Sequence, residues 1–221
     1  MRPVAVAIMA KWPRPGDVKT RLCPPLALAE AAALYRCFLL DKIDQVRALR
    51  GALPVIAYTP DDARGGFEAL APDFTLMPQR GADLGARLLV TLTTLIERGH
   101  AGAIAVDSDT PTLPIGFLQQ AVDLLADPAV DLVLGPTEDG GYYLIGMRVA
   151  RPVLFEAIPW STSRVLALTL ERAERAGLKV VCLTPWSDVD TPDDLHRLRA
   201  LLRGRRDGAP THTAAYLGML R

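Results

Sequence analysis

Ala103-Ile104-Ala105-Val106-Asp107-Ser108-Asp109-Thr110-Pro111 is the stretch from which the fold can be read. Four apolar residues without polar alternation fit a short strand covered on both faces, as in a parallel sheet. Such a strand delivers the residues after it to the carboxyl edge, where open α/β sheets bind their ligands. Two carboxylates at alternate positions there, Asp107 and Asp109, are hard oxygen donors suited to Mg²⁺ or Mn²⁺. Asp109-Thr110-Pro111 is equally an ordinary helix start, so the pattern alone leaves a capping role open.

The flanking sequence repeats the strand-and-helix theme. Upstream, the apolar run Val4 to Met9 ends in the Pro/Gly-rich loop Lys11 to Pro25, and Leu26 to Arg50 carries apolar residues at helical spacing up to Gly51. Leu53 to Tyr58 and Phe74 to Met77 read as strands, and Asp83 to Arg98 as a helix closed by Gly99. Downstream follow a helix over Leu113 to Ala126, strands over Leu132 to Gly135 and Tyr142 to Met147, and a helix over Thr162 to Ala176. Lys179 to Leu183 is the last strand and Pro192 to Leu202 the last helix. This alternation predicts an α/β, three-layer, mainly parallel sheet with helices on both faces. The length fits one domain over residues 1–221. Arg203 to Pro210 reads as a connector, and the last eleven residues either dock back or stay mobile.

The 25 basic and 25 acidic residues cancel and are interspersed, which argues against a nucleic-acid backbone or an anionic membrane surface as partner. A small soluble ligand is favoured, and self-association as a homodimer is left open. Cys23, Cys37 and Cys182 form an odd set without short spacing, so neither a disulfide framework nor a zinc cage is expected. The apolar run near the amino terminus is too short to span a membrane and has the wrong flanks for a cleaved signal, which predicts a cytoplasmic protein without membrane insertion.

Three more segments carry chemistry. In Lys11-Trp12-Pro13-Arg14-Pro15-Gly16-Asp17-Val18-Lys19-Thr20-Arg21-Leu22, four cations lie between a buried strand and a helix. Lys11, Gly16, Lys19 and Arg21 there are candidate phosphate contacts. The G-x-x-x-x-G-K-[ST] spacing is absent, so no P-loop follows, and a solvated charged loop satisfies the pattern as well. In Gly135-Pro136-Thr137-Glu138-Asp139-Gly140-Gly141-Tyr142-Tyr143, the paired Gly140 and Gly141 let a ligand approach the backbone. Glu138 or Asp139 could deprotonate an acceptor hydroxyl, although Asp-Gly-Gly also suits a simple hairpin turn. In Asp188-Val189-Asp190-Thr191-Pro192-Asp193-Asp194-Leu195, Asp190 could complete a metal shell, while Thr191-Pro192 looks like a helix start. Trp160 could close over a base or sugar, or simply pack into the core. His100, His196 and His212 are scattered and suggest no metal site.

Together these motifs resemble the GT-A class of nucleotide-diphospho-sugar transferases. Within it, the chain is similar to the small bacterial family described as arsenosugar-biosynthesis or radical-SAM/selenodomain-associated glycosyltransferases. The resemblance implies a Rossmann-like nucleotide-binding half, a metal pair at Asp107 and Asp109, and phosphate contacts at Lys19 and Arg21. In nucleotidyltransferase relatives such as the guanylyltransferases of cofactor biosynthesis, a distal Asp also reaches the metal, and Asp190 matches it. The Leu-x-Gly-Gly-x-x-x-Arg-Met loop of molybdopterin-type nucleotidyltransferases is absent from this chain. The expectation is glycosyl transfer from a nucleotide-sugar to a small-molecule acceptor. Nucleotidyl transfer to a phosphorylated small molecule and a non-catalytic nucleotide-binding role are the rivals.

Overall fold

The computed structural model describes residues 2–204 and 210–220. Strand β1 (Val4–Lys11) lies in the interior of the sheet, and its sequence alternates between the two faces. Val4, Val6 and Ile8 join one apolar cluster, while Ala5 and Ala7 join the other. The small residues face the layer built largely by α3 (Leu84–Glu97) and α5 (Val165–Arg175). The branched ones face α1 (Leu28–Arg47), α2 (Arg64–Leu70) and α4 (Ile115–Ala126). With every side chain of β1 up to Ala10 largely removed from water on one face or the other, this period-two division fixes the strand's register.

The other strands are β2 (Ala52–Thr59), β3 (Thr75–Pro78), β4 (Ala103–Val106), β5 (Leu132–Pro136), β6 (Tyr142–Met147) and β7 (Val180–Cys182). They form one seven-stranded sheet in the order β3-β2-β1-β4-β6-β5-β7. All pairings are parallel except those of β6, which runs antiparallel to both β4 and β5. The expected three-layer, mainly parallel α/β architecture is thus present. The inverted β6 matters for the site, because the start of this strand lies beside the end of β4: the Asp107 amide donates to the Tyr143 carbonyl at 2.9 Å.

Two local features escaped the sequence reading. The segment Arg64–Leu70, left unassigned there, is helical, and Gly66 is required in it because the Trp12 indole occupies the space of a side chain. Residues Thr20–Leu22 make a single 3-10 turn inside the basic loop. Of the two alternatives for the tail, docking is realised: α7 (Thr211–Met219) packs on α1. Its His212 and Thr213 amides both donate to Asp41 at 2.9 Å, and the Tyr216 hydroxyl donates to the Glu30 carbonyl. Of the expected connector, Arg203 and Gly204 extend α6 (Pro192–Gly204), Pro210 leads into α7, and 205–209 lie outside the described residues. Among the described residues, no helix is long and apolar enough to cross a membrane.

Candidate nucleotide and metal site

The carboxyl ends of β1, β2 and β3, together with the loop after β4, enclose a cleft of about 340 Å³. Lys11, Lys19, Arg21, Gln79, Arg87 and Asp109 are among its lining residues. Lys19 adopts a left-handed backbone conformation, φ 50° and ψ 34°, unusual for a residue with a side chain and frequent at functional sites. Its side chain is only 5% exposed, and Nζ lies 2.7 Å from Asp190 Oδ1 and 3.1 Å from Asp109 Oδ2. Burial alone would lower its pKa, but Asp109 and Asp190 outweigh it and hold the ammonium well above the usual lysine range. Arg21 stands at the exposed rim, 3.7 Å from Asp190. Lys11 donates from Nζ to the Asp17 carbonyl and from its amide to the Tyr35 hydroxyl, closing the loop on itself. Gly16, at φ +85°, makes the bend between them. At the floor, Gln79 Nε2 donates to the carbonyls of Ala10 and Ala57 and so ties β1 to β2.

Asp107 is not among the residues that line the cleft; it accepts from Thr110 Oγ1 at 2.6 Å. Lys42, completely buried on α1, donates to Thr110 Oγ1 at 2.9 Å and to the Thr110 carbonyl at 3.2 Å, with Nζ 3.8 Å from Asp107 Oδ1. Burial pushes the Asp107 carboxyl up to about 7, with Lys42 opposing the shift and Asp109 adding to it. Burial likewise lowers the pKa of Lys42, against the pull of Asp107 and Asp109. Ser108 donates to the Met9 carbonyl and shares a hydrogen bond with Tyr35, so the Asp-Ser-Asp loop is tied to β1 and α1. Asp109 Oδ1 is a buried oxygen with no hydrogen-bond partner, the state in which a cation is welcome. Asp107, Asp109 and Asp190 all offer carboxylate oxygens, the donor set Mg²⁺ and Mn²⁺ prefer. Among the described residues, no three side chains form a preassembled metal shell. Lys19 stands between Asp109 and Asp190 instead.

A second pocket, of about 310 Å³, adjoins the first and shares Arg21 and Asp190 with it. Glu138, Asp139, Asp188, Asp194 and Arg197 also line it. Glu138 and Asp139 are exposed on the turn before β6. Asp139 Oδ1 accepts from Thr137 Oγ1 at 2.5 Å and from the Gly141 amide at 3.0 Å, so this oxygen caps the turn. Gly140, at φ +90°, lies so close to the Ser163 backbone that a side chain would overlap it, and its carbonyl accepts from the Leu166 amide at 2.9 Å. Burial, with Asp190 and Asp139 as neighbours, raises the Asp188 carboxyl to about 6.

The structure therefore gathers Lys11, Lys19, Arg21, Asp109 and Asp190 around one cleft and Glu138, Asp139, Arg21 and Asp190 around its neighbour. Trp160 instead packs over Gly85, against Phe155 and Tyr142, in the layer of α3 and α5. Sequence reasoning gave no role to Lys42, Tyr35, Gln79 or Asp188. For Lys42 a signal existed: a charge at helical spacing from Leu39 and Val46 falls on the buried stripe of α1.

Residues 42–162 match the family model described as "Uncharacterized protein conserved in bacteria (DUF2064)". A phosphoenolpyruvate guanylyltransferase of Conexibacter woesei is 30% identical over 215 residues, spanning 91% of this chain and 90% of the relative. The crystal structure of a "putative nucleotide-diphospho-sugar transferase" from Desulfovibrio desulfuricans G20 superposes with a TM-score of 0.91 at 34% identity, covering 99% of this chain and 95% of that one. CMP:2-keto-3-deoxy-manno-octonic acid synthetase complexed with CTP shares the fold at a TM-score of 0.59 and 14% identity, over 92% of this chain and 99% of its own. The resemblance read from the motifs and the nucleotide-diphospho-sugar transferase fold are thereby shown.

Proposed function

The chain belongs to this bacterial family, and on that premise we propose that it is a metal-dependent glycosyltransferase. It takes a nucleotide-diphospho-sugar in the Lys19 cleft and passes the sugar to a small hydroxyl acceptor in the adjoining carboxylate pocket. The observation that carries the reading is the junction of two unlike pockets at Asp190. One presents Lys11, Lys19, Arg21 and Arg87, a setting for phosphates. The other presents Glu138, Asp139, Asp188, Asp190 and Asp194, with Arg197 paired to Asp194 and Arg21 near Asp190. A phosphorylated acceptor would meet repulsion there, whereas a neutral hydroxyl would meet proton acceptors.

The Lys19 ammonium has three N–H donors, of which Asp109 and Asp190 engage two, leaving the third for a phosphate oxygen. Arg21 adds a second cation from the rim. Asp107, Asp109 and Asp190 would hold Mg²⁺ or Mn²⁺, which when bound supplies Lewis-acid neutralisation of the charge on the departing diphosphate. On the acceptor side, Glu138 or the Oδ2 of Asp139 takes the hydroxyl proton as the acceptor oxygen bonds to the anomeric carbon. The sugar–phosphate bond breaks in the same exchange, and the nucleoside diphosphate leaves with its electron pair.

Nucleotidyl transfer is the second reading, favoured by the guanylyltransferase relative. The cleft would then hold a nucleoside triphosphate, and pyrophosphate would leave. A thermal-shift panel of diphospho-sugars, diphosphates and triphosphates with and without Mn²⁺ separates the two, because a ligand of the native state raises the melting temperature. Stabilisation by a diphospho-sugar, with nucleoside diphosphate released on turnover, supports glycosyl transfer. Stabilisation by triphosphates alone, with pyrophosphate released, overturns it in favour of the second reading. Indifference to every nucleotide overturns both.

A further inference from the structure

Lys42 is a lysine at zero exposure in the middle of α1, and lysine is rarely so placed without a specific partner. It lies in neither cleft, so it is not a contact for phosphate or acceptor. Its ammonium can only donate, and its two donor bonds end on the carbonyl and the hydroxyl of Thr110. A hydroxyl that accepts from a lysine must turn its own proton elsewhere. Among the described residues, the carboxylate it reaches is that of Asp107, at Oδ1, 2.6 Å away. With Lys42 as the ammonium and Asp107 as the carboxylate, the chain runs from Lys42 through Thr110 to Asp107 Oδ1. Among the described residues, no protein donor reaches Asp107 Oδ2, which leaves that oxygen free.

We infer that Lys42 is a positioning residue for the metal site. Through Thr110 it ties one Asp107 oxygen back to the protein and presents the other to a divalent cation. This rests on the reading of Asp107 as a metal ligand. Partners that orient a ligating carboxylate are typically worth about 10- to 100-fold in metal affinity. Lys42 also grips the Thr110 backbone, so it fixes the turn that carries Asp107 and Asp109 as well as the side chain itself.

The test compares Lys42→Met, Thr110→Val, the double variant and Asp107→Asn, each as the full chain. Mn²⁺ affinity is measured by paramagnetic resonance of the free ion, and metal-free binding of a nucleoside diphosphate and the metal-free melting temperature are measured beside it. The inference expects each single variant to lose about tenfold or more in Mn²⁺ affinity. It expects the double variant to be no worse than the worse single, since both cut one chain. Metal-free nucleotide binding should stay unchanged, which a general loosening of the fold would not allow. If Lys42→Met fails to fold, Thr110→Val, which keeps the buried ammonium, carries the test alone. Mn²⁺ affinity that survives both single variants but falls in Asp107→Asn overturns the positioning role and leaves the ligand assignment standing. Unchanged affinity in Asp107→Asn overturns that assignment and the inference together.

Discussion

In the Lys19 cleft, Lys19 is 5% exposed and clasped by Asp109 and Asp190, and the Asp107 loop is braced from behind by Lys42 and Tyr35. In the adjoining pocket, Glu138 and Asp139 stand exposed on a turn that is held by backbone contacts around Gly140 and by the Asp139 Oδ1 cap. On the proposed glycosyl-transfer reading, diphosphate is the part a whole class of donors has in common, so its contacts can be buried and fixed. Acceptors differ on that reading, and Glu138 and one oxygen of Asp139 would face them from an exposed turn, while the other Asp139 oxygen holds that turn. The contrast places fixed, buried contacts around Lys19 and exposed carboxylates on the turn before β6.

The sharpest way to break that contrast is to remove the acceptor carboxylates. If Glu138 or Asp139 is the base, Glu138→Gln or Asp139→Asn should cut turnover roughly 10²- to 10⁴-fold while donor affinity by calorimetry stays within about twofold. Equal weakening of donor binding would place these residues on the nucleotide side. Next in size, Lys19→Ala leaves two carboxylates facing each other without their cation. Breaking a fully buried pair costs about 3–5 kcal/mol. Asp109 and Asp190 are each more than a third exposed, so about 2 kcal/mol is expected here in urea unfolding. Diphosphate affinity should fall with it and nucleoside affinity should not.

Gly140→Ala tests the turn. Its positive φ and the overlap with Ser163 should cost about 1–3 kcal/mol and slow transfer, with donor affinity intact. A neutral outcome would mean that the turn is not held by its backbone. The smallest effect is expected at Asp194, whose Oδ2 accepts from the Thr191 amide and hydroxyl and from the Asp190 amide at the start of α6. Asp194→Ala should cost about 1 kcal/mol at neutral pH. Burial pushes the Asp194 carboxyl up, but these hydrogen bonds and Arg197 outweigh it and hold it below the usual value of 3.8. A depressed folded pKa gives stability that is present above the unfolded pKa and lost as pH falls through the folded one. The gap between wild type and variant should therefore be level from pH 7 to about 5 and close below about pH 4. A gap that persists at pH 2 would assign the loss to packing.

Much of this architecture was legible because apolar strands announce themselves: Val4–Lys11 and Ala103–Val106 stand where their unbroken hydrophobic runs predict. Lys19, Arg21, Asp109 and Asp190 could be picked out as candidates because each follows such a strand or precedes a helix, and the fold brings them to one cleft. What stayed hidden depends on three-dimensional pairing. The hairpin reading of Asp139-Gly140-Gly141 fits the antiparallel pairing of β5 with β6, but nothing in Tyr142–Met147 says that it also runs against β4, since a buried strand has the same composition in either direction. Lys42 looks like any helix lysine until the face it occupies is known. Trp160 is open in the sequence to a lid or a core role, and only the bare surface of Gly85 shows that the indole packs inward. That Lys19 would clasp the two expected metal ligands followed from a left-handed backbone that no lysine advertises.

The Asp41 carboxylate, next to Lys42 on α1, has its partners 171 and 172 residues further along, at His212 and Thr213. During synthesis at about 5–20 residues per second, α1 leaves the ribosome roughly ten to thirty seconds before α7 exists. Through that interval an acid destined for the interior, at 5% exposure in the finished protein, must keep its water. The helix that braces the aspartate loop is therefore made long before it is sealed, and a nascent chain stalled short of Thr211 would carry an open face on α1, behind the candidate site.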